Sequence, residues 1–172
     1  MSAPAPPASA EGEALVVRRL GRGDLPAVER HLLSLGPADR RKRFGAPADD
    51  DAVAAHVSRL DPGRAVLVGA AAGPDGRLVG VAEALFLDGA PRPAVEVAVS
   101  VHPYHRREGL GRRLAARAVA LAFAEGAEAA VSPIASANLA GFGLARSLGA
   151  RCDEGAERAV LLAAEAPERA AA

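Results

Sequence analysis

The clearest indication of chemistry in the sequence is residues 106–111, which join an apolar segment to a predicted helix. The first turn of a helix carries unpaired N–H groups and a partial positive charge, and it therefore attracts phosphate. Glycines at this junction let the backbone approach a pyrophosphate, because a Cβ atom there would collide with it. Neighbouring arginines add charge that suits a multiply phosphorylated ligand. The predicted phosphate-binding residues are Arg106, Arg107, Glu108, Gly109, Leu110, Gly111 and Arg112.

Two better-known phosphate motifs do not fit this loop. The P-loop requires a Gly-Lys-Ser or Gly-Lys-Thr sequence, and the chain has none. The dinucleotide-binding fingerprint requires a third glycine at a position where Leu114 stands. On the glycines alone, a simple strand-to-helix turn with a solvated basic end is an equal alternative to a ligand site.

A second candidate for chemistry is Glu96, the lone carboxylate in the apolar segment 94–101. Desolvation inside such a strand would raise its pKa toward the range that a general base needs. A solvent-facing or edge position is the alternative, because Ala98 and Ser100 on the same strand face are small and tolerant residues. Glu83, in the preceding apolar segment, is the second choice for a base.

The elements that must position these residues alternate between strands and helices. The patterns predict strands over residues 14–20, 64–72, 77–87, 94–101, 129–134 and 158–163, with a short strand that begins at Cys152. They predict helices over residues 25–35, 38–44, 52–60, 109–125 and 137–148. This order is typical of an α/β layered sheet. We expect a single domain over residues 13–166 between two disordered tails, 1–12 and 167–172.

Composition excludes several classes of protein. Positive and negative residues balance at 21 each, which argues against bulk attraction to nucleic acid or to an anionic membrane surface. A lone cysteine excludes an internal disulfide and predicts a cytoplasmic protein. No apolar run approaches the roughly 20 residues that span a bilayer. The four histidines have no cysteine partners at metal spacing, so we expect no metal. The basic run 40–43 is interpreted as a solvated helix face rather than a nucleic-acid site.

The phosphate loop resembles the coenzyme A signature of the GNAT superfamily of N-acetyltransferases. That signature, Arg/Gln-x-x-Gly-x-Gly/Ala, is matched by Arg106-x-x-Gly109-x-Gly111. Upstream, residues 99–103 resemble the strand end whose backbone holds the pantetheine arm. Downstream, Asn138 is followed eleven residues later by Gly149, as in a later helix of the superfamily. Residues 35–44 and 96–101 further resemble the acetyltransferase domain of bacterial protein-lysine acetyltransferases.

The resemblance implies the GNAT fold, a mixed and mostly antiparallel sheet with helices on both faces. It implies acetyl-CoA as co-substrate and direct transfer of acetyl, in a ternary complex, to a primary amine of a protein lysine or a small molecule. The protein would be a monomer or a homodimer. Val99, Val101 and Asn138 join the cofactor-binding residues, the N–H of Val101 stabilises the oxyanion, and Glu96 is the catalytic base.

The departing thiolate also needs a proton in this mechanism. The superfamily often uses a tyrosine to protonate it, and Ala145 stands at that position. The single tyrosine, Tyr104, lies in the phosphate loop, so water, Ser100 or Ser136 would have to act instead. A non-catalytic acyl-CoA-binding sensor or regulatory module is therefore the alternative function. Acidic residues follow Cys152 and disfavour its thiolate, so we expect a small buried side chain there and no covalent intermediate.

Overall fold

The computed structural model describes residues 15–73 and 76–163. The predicted tails, 1–12 and 167–172, lie outside these ranges, as do Pro74 and Asp75, which fall between the predicted strands 64–72 and 77–87. The strands are β1 (Val16–Arg19), β2 (Ala65–Ala72), β3 (Arg77–Phe86), β4 (Ala94–Val101), β5 (Ala129–Pro133), β6 (Arg151–Asp153) and β7 (Arg158–Leu162). The helices are α1 (Leu25–Leu33), α2 (Pro37–Phe44), α3 (Asp50–Ser58), α4 (Leu110–Ala124) and α5 (Leu139–Ser147).

The strands form one sheet in the order β1-β2-β3-β4-β5-β7-β6. Every neighbouring pair is antiparallel except β4 and β5, which run parallel. The parallel pair is made possible by α4, which carries the chain back across the sheet between the two strands. The predicted mixed, mostly antiparallel sheet is therefore confirmed.

Helices cover both faces of the sheet, as predicted. On one face α4 packs Leu110, Leu114 and Ala118 against the valines and alanines of β2, β3 and β4. On the other face α1 and α3 pack Val28 and Val53 against further apolar residues of β2 and β3. Because the chain is poor in aromatic residues, small aliphatic side chains fill both layers.

Two helices, α3 and α5, begin with side-chain caps. The carboxylate of Asp49 accepts the N–H of Ala52 at 2.8 Å at the start of α3, and the amide oxygen of Asn138 accepts the N–H of Gly141 at 3.1 Å at the start of α5. Asp24 occupies the N-cap position of α1, but its carboxylate accepts the N–H of Gly21 and makes no capping hydrogen bond to the helix. Among the described residues, no helix is long and apolar enough to cross a membrane.

Candidate functional site

A cleft of about 180 Å³ opens where β4 and β5 diverge. Glu96, Val97, Ala98 and Val99 of β4 form its floor. Its walls come from the end of β5, from the end of α2 and from apolar residues of α4 and α5. The cleft therefore passes through the sheet and reaches the helices on both of its faces.

The divergence follows from a short β4–β5 ladder. Only residues 94–96 pair with residues 129–131, although β4 continues to Val101. In a parallel ladder of this register, the next donor on β5 belongs to residue 133. Pro133 has no N–H, so β5 cannot donate to the carbonyl of Val97 at this point. The gap between the strands begins there.

The backbone of β4 faces this gap at alternate residues. The N–H of His102 donates to Val79 at 2.8 Å, and Ala94 accepts from Leu87 at 2.9 Å, so the even-numbered residues of β4 turn their backbone groups toward β3. The backbone groups of Val99 and Val101 consequently point toward the gap. These two residues are the strand positions that the sequence predicted as cofactor-binding.

Glu96 lies half-buried at the floor of the cleft. It sits between Leu85 of β3 and Val131 of β5 in the sheet. Its carboxylate makes no hydrogen bond or ion pair with any residue in the described ranges. The carboxylate is therefore open to a group that enters the cleft, and the position is neither fully buried nor a plain solvent-facing one.

Glu83, the second-choice base, is occupied by other residues. Its side chain is 1% exposed, and its Oε2 forms an ion pair with Arg43 at 2.6 Å and contacts the ring of His56 at 2.8 Å. Burial alone would raise the pKa of Glu83, but the charge of Arg43 and the hydrogen bond with His56 outweigh burial and lower that pKa to about 2. A carboxylate with this pKa is a poor proton acceptor near neutral pH. We therefore assign Glu83 a structural role and not the role of the base.

The predicted phosphate loop does lead into a helix. α4 begins at Leu110, whose side chain is buried in the core, while residues 106–109 are exposed. Gly109 has a φ of 76°, a left-handed conformation that suits glycine. At Gly111 a Cβ would meet Val101 and Leu144 only at ordinary contact distances of 3.7 and 4.0 Å. Gly111 therefore lies beside the end of β4, next to the gap.

The arginines of the loop differ in their surroundings. Arg106 donates through Nε to the carbonyl of Val101 at 2.9 Å and pairs with Asp39 of α2 at 2.8 Å. It thus ties the end of β4 to α2 as well as contributing charge. Arg112 is exposed and reaches the carbonyl of Ser147 at 3.4 Å. Arg107 and Glu108 are exposed.

Two residues of α5 shape the far wall of the cleft. Asn138 lines it and also caps the helix, so its predicted place beside the ligand coincides with a structural role. Ala145 lines the cleft where the resemblance implies a tyrosine in many relatives. No tyrosine lines the cleft, and the single tyrosine, Tyr104, is exposed and lies against His102.

The other groups proposed for chemistry lie outside the cleft lining. Ser100 is buried and its hydroxyl contacts Nε2 of His31 at 2.9 Å. Ser136 is exposed, and its backbone N–H bonds to Glu157. Cys152 is half-buried rather than buried, because it lies in the edge strand β6.

Two arginines of the basic run 40–43 help to build the site, and the sequence analysis did not predict this. The prediction of a solvated helix face is wrong for Arg40 and Arg43, whose side chains are 13% and 7% exposed. Arg40 donates to the carbonyls of Leu33 and Leu35 and pairs with Asp50, so it holds α2 against its neighbours. Arg43 lines the cleft. Their spacing of three residues, which places both on one side of a helix, was the available signal.

Comparison with known proteins shows which family and which solved structures the chain is similar to. Residues 32–150 match the model of the Acetyltransferase (GNAT) family. No curated protein matches the chain. The structure is similar to that of the GNAT domain of S. lividans PAT, with a TM-score of 0.71 and 20% identity over 90% of this chain and 98% of the other.

Two further structures contain the ligand that the loop suggested. A putative acetyltransferase from Salmonella typhimurium, solved with acetyl-CoA, is 26% identical with a TM-score of 0.61 and covers 80% of this chain and 79% of its own. Spermidine N-acetyltransferase from Vibrio cholerae, solved with CoA and spermine, has a TM-score of 0.66 and 19% identity over 88% and 96% of the two chains. Because the family match spans most of the chain and the fold agrees with it, the protein belongs to the GNAT family of acetyltransferases.

Proposed function

We propose that the protein transfers acetyl from acetyl-CoA directly to a primary amine within a ternary complex. The observation that carries this proposal is the cleft between β4 and β5, which brings a free carboxylate and exposed strand backbone to one place, while the start of α4 lies outside the cleft lining but beside the end of β4. Each of these features serves a different part of the reaction.

Acetyl-CoA fits the gap end of the cleft. The backbone groups of Val99 and Val101 offer hydrogen bonds of the kind that an extended, amide-containing arm uses. The start of α4, with its unpaired N–H groups and the exposed Arg107 and Arg112, offers a site for the pyrophosphate. Asn138 closes the opposite wall.

Glu96 is the proposed base. A lysine-type amine has a pKa of about 10.4 and is protonated near neutral pH, so it must lose a proton before it can attack. We assign that proton to the Glu96 carboxylate, directly or through one water. The amine nitrogen then bonds to the thioester carbon, the carbon–sulfur bond breaks, and the thiolate leaves with the electron pair. The N–H of Val101 faces the developing oxyanion.

The leaving thiolate takes its proton from water in this scheme. Ala145 has no transferable proton at the position where many relatives have a tyrosine, and neither Ser100 nor Ser136 lines the cleft. The same observation favours a second candidate function, a non-catalytic module that binds acyl-CoA. Release of free thiol from acetyl-CoA in the presence of a panel of small amines and lysine peptides separates the two functions and identifies the class of acceptor.

The role of Glu96 is tested by Glu96→Gln. We expect acetyl-CoA affinity to persist while the rate of acetylation falls roughly 10²–10⁴-fold, the usual contribution of a general base. The acidic limb of the pH–rate profile should also disappear. Glu128→Gln, at an exposed position before β5, is the matched control and should keep the full rate. An unchanged rate and profile in Glu96→Gln would exclude Glu96 as the base.

The direct path is tested through Cys152. Because Cys152 lies outside the cleft lining, we expect Cys152→Ala to retain most of the activity. Initial-rate plots should intersect, as for a ternary complex, and should not run parallel. An acetylated Cys152 trapped by mass spectrometry without an amine, together with an inactive alanine variant, would contradict direct transfer.

A further inference from the structure

The sequence contains a single lysine, Lys42, among its 21 basic residues. All the others are arginines, whose guanidinium groups stay protonated and therefore lack a free electron pair for attack on a thioester. Lys42 consequently carries the one primary amine that any side chain of this sequence provides. The same residue lines the cleft that contains Glu96.

The helix that carries Lys42 is held in place by the two residues that follow it. Lys42 lies in the last turn of α2. Arg43 forms its ion pair with Glu83 of β3 at 2.6 Å, and Phe44 packs against the core beneath α1 and α3. The end of α2 therefore lies on the face of the sheet that α1 and α3 cover, and it also contacts β4.

The side chain of Glu96 points to that same face of the sheet. Successive side chains of a strand point to opposite faces. On β4, Val97 packs into the core beneath α4, whereas Ser100 contacts His31 of α1. Glu96 alternates in step with Ser100, so its carboxylate and Lys42 lie on one side of the sheet.

Strand pairing also brings the two residues close along the sheet. Glu83, which holds Arg43, lies directly opposite Ala98 of β4. Ala98 is two residues from Glu96 on the same face, about 7 Å along the strand. Lys42 is the residue next to Arg43, and its flexible four-carbon stem gives its amine further reach into the cleft.

Lys42 is not held elsewhere. Its side chain is exposed and makes no hydrogen bond or ion pair within the part of the chain that the structure describes. Arg40 and Arg43 of the same helix are, by contrast, paired with carboxylates. The start of α4, where we place the pyrophosphate, lies on the opposite face of the sheet. The amine and the thioester therefore reach the cleft from different sides.

We propose that Lys42 is a self-acetylation site, modified in the cleft of its own chain. This inference rests on the proposed acetyl transfer. The ammonium of Lys42 gives one proton to Glu96, and its nitrogen bonds to the thioester carbon of acetyl-CoA as the carbon–sulfur bond breaks. The nitrogen loses a second proton as the amide forms, and the thiolate leaves with the electron pair and is protonated by water. The products are Nε-acetyl-lysine, coenzyme A and one proton released to solvent.

Digestion with endoproteinase Lys-C tests this inference, because the enzyme cuts only after an unmodified lysine. The protein is incubated with acetyl-CoA and no added amine, then denatured and digested. We expect the single cut after Lys42 to disappear and the peptide that spans it to gain the mass of one acetyl group. The half-time should not change with protein concentration, as for transfer within one molecule. Glu96→Gln should slow the reaction roughly 10²-fold or more, the contribution of a general base.

The double variant Lys42→Arg with Arg117→Lys is the matched control, since it moves the single lysine to an exposed position of α4 outside the cleft lining. The relocated lysine should gain acetyl roughly tenfold more slowly or less, because it reacts with acetyl-CoA only from solution. Equal rates at the two positions, or a half-time that shortens as protein concentration rises, would overturn the inference. A protein that acetylates added amines but leaves Lys42 unmodified overturns it while the proposed function stands, and a protein that does neither overturns both.

Discussion

At the scale of single residues, Glu83 links two helices to the sheet, one through an ion pair and the other through a hydrogen bond. Arg43 comes from α2 and His56 from α3, and both contact the same buried carboxylate oxygen on β3. The ring of His56 also lies edge-on to Phe44, with centroids 5.2 Å apart. One wall of the cleft, the end of α2, therefore depends on a buried ion pair.

Glu83→Gln should destabilise the fold, because it leaves Arg43 with an uncompensated buried charge. Breaking one side of such a pair costs about 3 kcal/mol in the free energy of unfolding. Urea denaturation measures it. The double variant Arg43→Met with Glu83→Gln removes the stranded charge and should recover part of the loss. A Glu83→Gln protein as stable as the parent would show that the pair contributes nothing.

The substitution Gly111→Asp tests whether the phosphate loop binds acetyl-CoA. The fold should accept the side chain, since a Cβ there meets only ordinary contacts, and an acidic residue in the first turn suits the helix dipole. The same negative charge opposes a pyrophosphate. We expect acetyl-CoA affinity to fall at least tenfold, about 1.4 kcal/mol, by calorimetry.

Gly143→Asp in α5 is the control for this variant. It makes the same substitution in a helix, at a position with open space around it and outside the cleft lining. Its acetyl-CoA affinity should equal that of the parent protein. Unchanged affinity in a folded Gly111→Asp protein would remove the loop from the binding site.

From the sequence, Glu96 and Glu83 are both candidates for the base, and local pattern gives no reason to exclude Glu83. The structure provides that reason. Both are single carboxylates in apolar strands. What separates them is Arg43 and His56, which lie 40 and 27 positions upstream of Glu83 and reach it only through tertiary packing. A candidate base can be identified from local pattern, but its partners cannot.

At the scale of elements, local signals predicted most of the segments that frame the site. β4 covers the predicted residues 94–101, because alternating valines specify a strand independently of the rest of the fold. α5 begins at Leu139 rather than at residue 137, since Asn138 is the cap and not part of the helix. The register shift between β2 and β3 at Ala70 and Ala71 was not predicted, because it arises from pairing and not from composition.

Asn138→Ala should affect both the stability of α5 and the ligand. Loss of the cap costs about 1 kcal/mol in the free energy of unfolding. Because α5 also forms a wall of the cleft, we expect acetyl-CoA to bind several-fold more weakly in calorimetry. Asp49→Ala removes the equivalent cap from α3, which lies outside the cleft lining, and should lower stability equally without changing affinity. Equal affinities in both variants would limit Asn138 to capping.

At the scale of the whole molecule, the order of strands and helices sufficed to predict the class of fold. The positions of β6 and β7 in the sheet could not be predicted from chain order. The later strand, β7, pairs with β5, and β6 lies outside it at the edge. Two large cores result, one on each face, with a smaller cluster around Phe142 of α5. The buried polar residues His31, Glu83 and Ser100 come from distant parts of the chain. Those buried groups make the stability of the molecule depend on pH.

His31 makes stability depend on pH in the range just below neutral. Its pKa is lowered to about 4, chiefly because burial disfavours the charged ring. In the unfolded chain the pKa is about 6.5. Between these values the unfolded chain binds a proton that the folded protein does not, so the free energy of unfolding falls as pH drops from about 6.5 to about 4. At about 1.4 kcal/mol per pKa unit, the loss approaches about 3 kcal/mol.

Glu83 acts at lower pH, since its lowered pKa makes its stabilisation disappear as pH falls from about 4.5 to about 2. The two groups are therefore separable by urea denaturation at stepped pH. His31→Gln retains a donor for Leu78 and an acceptor for Ser100 but does not titrate, so it should flatten the stability profile between pH 6.5 and 4 while leaving the lower limb intact. A parallel profile in the variant would mean that another group, such as His102, binds the proton.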